Sequence, residues 1–342
     1  MLAAVLATMA PMHKSHRAFC FALFTLACSS AFSQSQITDP GAKQICASVE
    51  QVVLPAEDRP TAAEEKSLAN CASVDAYYGF GQPADPVKAR KCAYAEMDRG
   101  AKSALSGKAI LTMVYANGKG VARNYDVALK LSCTIGDAPG DAAGRIHQID
   151  RMKKSNVAGY NFSICDHSSG RDLYEQCAIL QERFDKIERD QQLEKLTSAW
   201  SARDKKAFRE LWSEAQVFFK VQASNAVNLE GTFEVQEESA QITRMVSMLE
   251  QFERGELPSH SADELQRAQA DETAAYAQTQ SGSVSRWGTV TRESVKKSED
   301  EWRCYHDAWI SFGKQKYPHV TEQSWRTWLN QERAASLNRL LH

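Results

Sequence analysis

Nine cysteines and eight histidines are the residues of this 342-residue chain whose types invite chemistry. Cysteines pair as disulfides, hold zinc as thiolates or attack as nucleophiles; histidines ligate metals or move protons. Beyond the N-terminal segment the histidines are His147, His167, His260, His306, His319 and His342, with no pair four residues apart. Cys165-x-His167 is a close cysteine–histidine combination, too little for a metal site. Gly118-Lys119-Gly120 resembles a fragment of a phosphate loop, but no strand leads into it and no Ser or Thr follows the lysine. Neither a Gly-x-Ser-x-Gly elbow nor a zincin motif is present. Asp307, a carboxylate within an aromatic run, reads as a structural ion pair or a cap, with Arg303 or a closing-helix arginine such as Arg333 as partner. The expectation is a protein that is not an enzyme and uses no cofactor or metal.

The cysteines then have to be explained by compartment. Met12 to Arg17 is a short basic stretch, Ala18 to Cys28 an apolar run, and Ala31-Phe32-Ser33 a small-residue cleavage site. This predicts a signal peptide over residues 1–33, cut before Gln34, with the residues before Met12 read as extension from an upstream start codon. The alternatives are a lipid anchor at Cys28, with Thr25 where such signals usually carry Leu, and an uncleaved anchor. Cleavage removes Lys14 and Arg17 and no acid, so the formal charge moves from −2 to −4. That near-neutral balance gives no electrostatic case for nucleic-acid binding. No later apolar run is long enough to span a bilayer. Cys46, Cys71, Cys92, Cys133, Cys165, Cys177 and Cys304 remain, enough for three bridges and one thiol in an oxidising compartment, here the periplasm.

The elements that must carry these residues read as helices throughout. Residues 34–70 are expected as an extended lead-in with one short helix near 42–53, because their prolines interrupt periodicity. Residues 71–150 hold a weak repeat, in which a helix ending in an aromatic meets a glycine-rich turn and a second helix capped by Asp or Asn. Its second copy has Tyr115, Gly118, Gly120, Val121, Asn124, Tyr125 and Ala128 in the pattern Tyr-x-x-Gly-x-Gly-Val-x-x-Asn-Tyr-x-x-Ala. This closely resembles the Sel-one-like repeat, a tetratricopeptide relative, which implies α-hairpins and a scaffold for interaction. The first copy departs from it at Gln82-Pro83. Downstream, Leu180, Phe184, Ile187, Leu193, Leu196 and Trp200 form one apolar stripe. Phe208 to Phe219 and Ile242 to Phe252 form two more, and Val295 to Phe312 form an aromatic-faced helix. Residues 258–263, 279–288 and 313–322 read as loops. The fold class is all-α: a short α-hairpin repeat region, then a bundle-like helical domain, stapled by disulfides.

Trp302-Arg303-Cys304-Tyr305-His306-Asp307-Ala308, followed by Trp325 to Leu329, Arg333 and Leu337, resembles the C-terminal segment of the LprI-like lysozyme-inhibitor family. The match is best over residues 265–341 and loose over 160–342. Gln269 to Tyr276 stands without the Leu-Asn pair usual there. The Cys165…Cys177-Ala178 start is similar to that of other members and implies a bridge between Cys165 and Cys177. Cys71 with Cys92, flanking the first hairpin, and Cys46 with Cys133 are the other expected pairs, leaving Cys304 free. The resemblance implies a protein partner, a lysozyme, occluded by the loops 279–288 or 313–322. The alternative is a non-inhibitory envelope scaffold that binds through the Sel-one-like hairpins.

Overall fold

Caps written into the sequence decide where the helices begin. The computed structural model describes residues 37–101, 103–136, 138–155, 161–227, 233–282 and 287–341; among them are thirteen helices and no strand. The expected signal peptide lies outside the described residues. Asp39 accepts from the Ala42 amide at 2.7 Å and Pro40 opens α1 (Pro40–Ser48). Thr61 and Glu64 form a capping box on α2 (Ala62–Ser67). The lead-in is thus more helical than its prolines suggest, because Pro40 sits where a helix needs no amide donor.

Two α-hairpins follow. In the first, α3 (Ser73–Tyr78) stops at left-handed Gly79, and Asp85 caps α4 (Pro86–Asp98). In the second, α5 (Lys108–Asn117) stops at Gly118, and Asn124 caps α6 (Tyr125–Ser132). Gly120 has φ +72°, and a Cβ there would lie 2.6 Å from the Pro86 carbonyl carbon. Only a residue without a side chain lets the second turn lie against the start of α4, where Arg90 also bonds the Gly120 carbonyl. Ala89 and Ala128 are fully buried in the hairpin seams. Tyr115 donates to Asp58 at 2.8 Å and pairs with the Tyr94 hydroxyl at 2.7 Å, fixing the 3-10 turn Ala56–Asp58 on the repeats. Next come α7 (Pro139–Ser155), packed on α6 and α1, and α8 (Arg171–Thr197).

All three bridges lie in this part. Cys46–Cys133 ties α1 to the end of α6, Cys71–Cys92 ties the residues just before α3 to α4, and Cys165–Cys177 ties the 3-10 turn Ile164–Asp166 to α8. Their Cα separations of 5.8, 5.9 and 5.7 Å are ordinary for disulfides. These are the three pairs named from the sequence, and Cys304 stays free and exposed.

The first apolar core ends inside α8. Leu173 and Leu180 are buried with the repeats, whereas Leu193 and Leu196 pack on the C-terminal core with Trp200. Between them Phe184 and Ile187 are 37% and 44% exposed, so the stripe read as continuous over 180–200 is two stripes serving two cores. The second core is built by α9 (Ala202–Asn225), α10 (Glu234–Glu253), α12 (Arg292–Lys316) and α13 (Glu322–Leu341), with α11 (Ala262–Ser281) lying along α13. Phe208, Leu211, Phe218, Met245, Leu249 and Phe252 are buried there against Trp302, Tyr305, Trp309 and Phe312. A Cβ on Gly313 would stand 2.5 Å from the Trp325 ring, so that glycine is what admits the indole. The loop expected over 313–322 is corrected: α12 runs to Lys316, and the short turn after it buries Tyr317 and Val320, Tyr317 donating to Glu253 at 2.7 Å. The loop expected over 279–288 begins later, since α11 continues to Ser281; residues 283–286 lie outside the described residues, and Trp287 is buried.

Candidate functional site

Helices α9, α10, α12 and α13 leave between them a groove open to solvent. Its floor is aromatic. Phe218 from α9 stacks on Tyr305 from α12 at 5.0 Å between ring centroids, and Trp302 lies 5.4 Å from Phe218. The stripes that place these rings are the helical periodicities of α9 and α12, so the fold presents them without any special loop.

Arg333 of α13 borders that floor and is 1% exposed. Its Nε and Nη2 donate to Glu299 Oε2 of α12 at 3.0 and 2.9 Å. Its guanidinium carbon stands 5.5 Å from the Trp302 ring and 5.7 Å from the Phe218 ring. Among the described residues Nη1 has no hydrogen-bond partner. Burial pulls the Arg333 proton affinity down while Glu299 holds it up, and the guanidinium keeps its charge. Glu272 of α11 stands behind this pair. Burial, and then the Glu299 charge, push its carboxyl above the ordinary range. The Asn330 amide nitrogen, in the orientation its neighbours require, lies 3.1 Å from Glu272 Oε2.

The rim is charged. Arg244 of α10 and Arg339 of α13 are exposed and, among the described residues, within ion-pair distance of no carboxylate. Glu237 and Glu332 share the rim. Gln222 of α9 is buried, and its Nε2 donates to Ser336 at 2.8 Å.

Of the residues singled out from sequence, Trp302, Tyr305 and Arg333 come together here. Leu337 packs instead with Trp287, Val290 and Val295, and Ala308 is partly buried on the second core. The pairing expected for Asp307 is corrected. It lies exposed on the outer face of α12 beside His306 Nδ1 at 3.0 Å, while Arg303 reaches Asp300 and Arg333 turns inward to Glu299. The repeat residues Tyr115, Gly118, Gly120, Val121, Tyr125 and Ala128 lie in or on the first core, away from the groove's lining.

Sequence reasoning missed Glu299, Arg244, Arg339 and Gln222. For Glu299 a signal existed: Val295, Glu299 and Trp302 share one helical face, so a carboxylate occupies an apolar position. Leu329, Arg333 and Leu337 repeat that pattern with opposite charge. What the groove offers is guanidinium donors, an amide and an aromatic floor, the chemistry of recognition. Among the described residues no helix is long and apolar enough to cross a membrane, and no cluster of His, Cys, Asp and Glu could hold a metal. Compared with known protein families, curated proteins and solved structures, the chain matches none.

Proposed function

We propose that the protein acts outside the cytoplasm by binding another protein, and that the groove between α9, α10, α12 and α13 is its contact. Three disulfides support an oxidising compartment, the periplasm for an exported chain. The observation that carries the reading is the groove itself, because an apolar centre with a charged rim is how binding energy and specificity are usually divided. The resemblance to LprI-like inhibitors makes a lysozyme the first partner to test, in a protein that would shield peptidoglycan by covering the muramidase cleft. Glu237 and Glu332 are the rim groups a cationic lysozyme would meet.

The test is a cell-wall lysis assay with c-type lysozymes and the purified mature chain in micromolar excess, alongside calorimetry. Inhibition with measurable binding, weakened by E237K/E332K, is the expected result. Full lysozyme activity without binding heat removes lysozyme as the partner. The second reading, a scaffold using the repeats, has a surface of its own, a hollow bordered by Ser103, Ala104, Gly136 and Glu175. Partner binding lost on substituting Glu175, and kept on substituting the groove rim, selects that reading. Deleting the repeats outright is not a usable control, because it would uncover Leu173 and Leu180 of α8.

A further inference from the structure

We infer that the part of a partner entering the groove is a chain end: a free C-terminal carboxylate preceded by an apolar last side chain. The inference rests on the protein-binding reading above and names the chemistry that would be recognised.

Arg333 is the built element of the site. It is 1% exposed and locked by two hydrogen bonds to Glu299, with Nη1 left over at the groove. A donor fixed in a dry wall gains most from an acceptor that carries charge. Glu299 already balances the Arg333 charge, so net attraction for an anion has to come from Arg244 and Arg339, the rim guanidiniums without a carboxylate within ion-pair distance among the described residues. Glu237 and Glu332 oppose a second negative group, which selects one carboxylate over a polyanion. Beside Arg333 the Gln222 side-chain oxygen Oε1 accepts no hydrogen bond among the described residues, the Nε2 of the same amide donating to Ser336 at 2.8 Å. It can take the N–H that precedes a terminal carboxylate. The floor of Phe218, Trp302 and Tyr305 suits an apolar side chain.

The experiment is fluorescence anisotropy with the mature full chain and a labelled glycine–serine peptide ending in leucine, as the free acid and as the carboxamide. A third peptide is amidated and carries an internal glutamate. The free acid is expected to bind about tenfold or more tightly than either amidated peptide. R244A/R339A should weaken the free acid by about tenfold and leave the carboxamide unchanged, while E332Q tightens the free acid. Both arginines are exposed, so unchanged near-UV circular dichroism should accompany these effects. Equal binding of acid and carboxamide, equal binding of the internal glutamate peptide, or no binding at all overturns the inference. The lysis assay run on the same R244A/R339A protein separates the two readings. Lost inhibition with no preference for the acid leaves the groove as the contact and removes the carboxylate.

Discussion

Arg333 and Glu299 are buried together on two helices, and neither would be tolerated there alone. Removing one partner of such a pair leaves an unpaired charge in a dry seam, while the intact pair contributes little net stability. The cost of the arrangement falls on a third group, Glu272, whose carboxyl is pushed up by burial and by the Glu299 charge. A carboxyl with a raised folded-state pKa makes the fold bind a proton more tightly than the unfolded chain does. Its favourable contribution is therefore complete below the ordinary carboxylate pKa and is lost as pH rises through the raised value. Glu272→Gln removes that loss and keeps an acceptor for Trp302 and Asn330. The variant should melt at a higher temperature than the native chain near pH 7.5, and the gap should close near about pH 4, where both are neutral. A lower melting temperature at both pH values would mean that Arg333 relies on the Glu272 charge. None of this pairing could be assigned from sequence. Helical spacing marks Glu299 and Arg333 as charges on apolar faces, but not which charge meets which, and the arginines expected opposite Asp307 pair with Asp300 and Glu299 instead.

Helices were the most legible level, because caps and glycines are local. Asp85, Asn124, Gly79 and Gly118 bound the two hairpins where the sequence places them. What the helices pack against was less legible. In α8 the apolar positions from Leu180 to Leu196 keep helical spacing although they serve two cores, and periodicity carries no mark of which core each position faces. The same limit applies to the repeat glycines. Gly81 and Gly120 both have φ +72°, yet only Gly120 lies against backbone. Gly81→Ala should cost about 1 kcal/mol, the strain of a left-handed alanine. Gly120→Ala adds a clash with the Pro86 carbonyl carbon, 2.6 Å away, and should cost about 3 kcal/mol. Urea unfolding of the two variants checks the difference. Equal losses would mean that the two hairpins are not pressed together at that turn.

Across the whole molecule the covalent and the aromatic stabilisation are segregated. All six bridged cysteines lie between Cys46 and Cys177, and all seven tryptophans lie between Trp200 and Trp328. The repeat core packs alanines and aliphatic side chains around buried tyrosines and has no tryptophan, and each bridge that restrains its unfolded chain is worth about 2–4 kcal/mol. The C-terminal core has no bridge and rests on ring packing, with Trp309 and Trp325 fully buried. Reductant should therefore act on one core and leave the other nearly untouched. Tryptophan fluorescence reports the C-terminal core alone, whereas far-ultraviolet circular dichroism reports both. In the oxidised chain the two probes should follow similar unfolding curves in urea. After reduction the dichroism curve should shift to lower urea and become biphasic, while the fluorescence midpoint stays in place. If both curves shift together on reduction, α8 couples the cores into one cooperative unit, and a ligand held in the groove would then also stabilise the repeats.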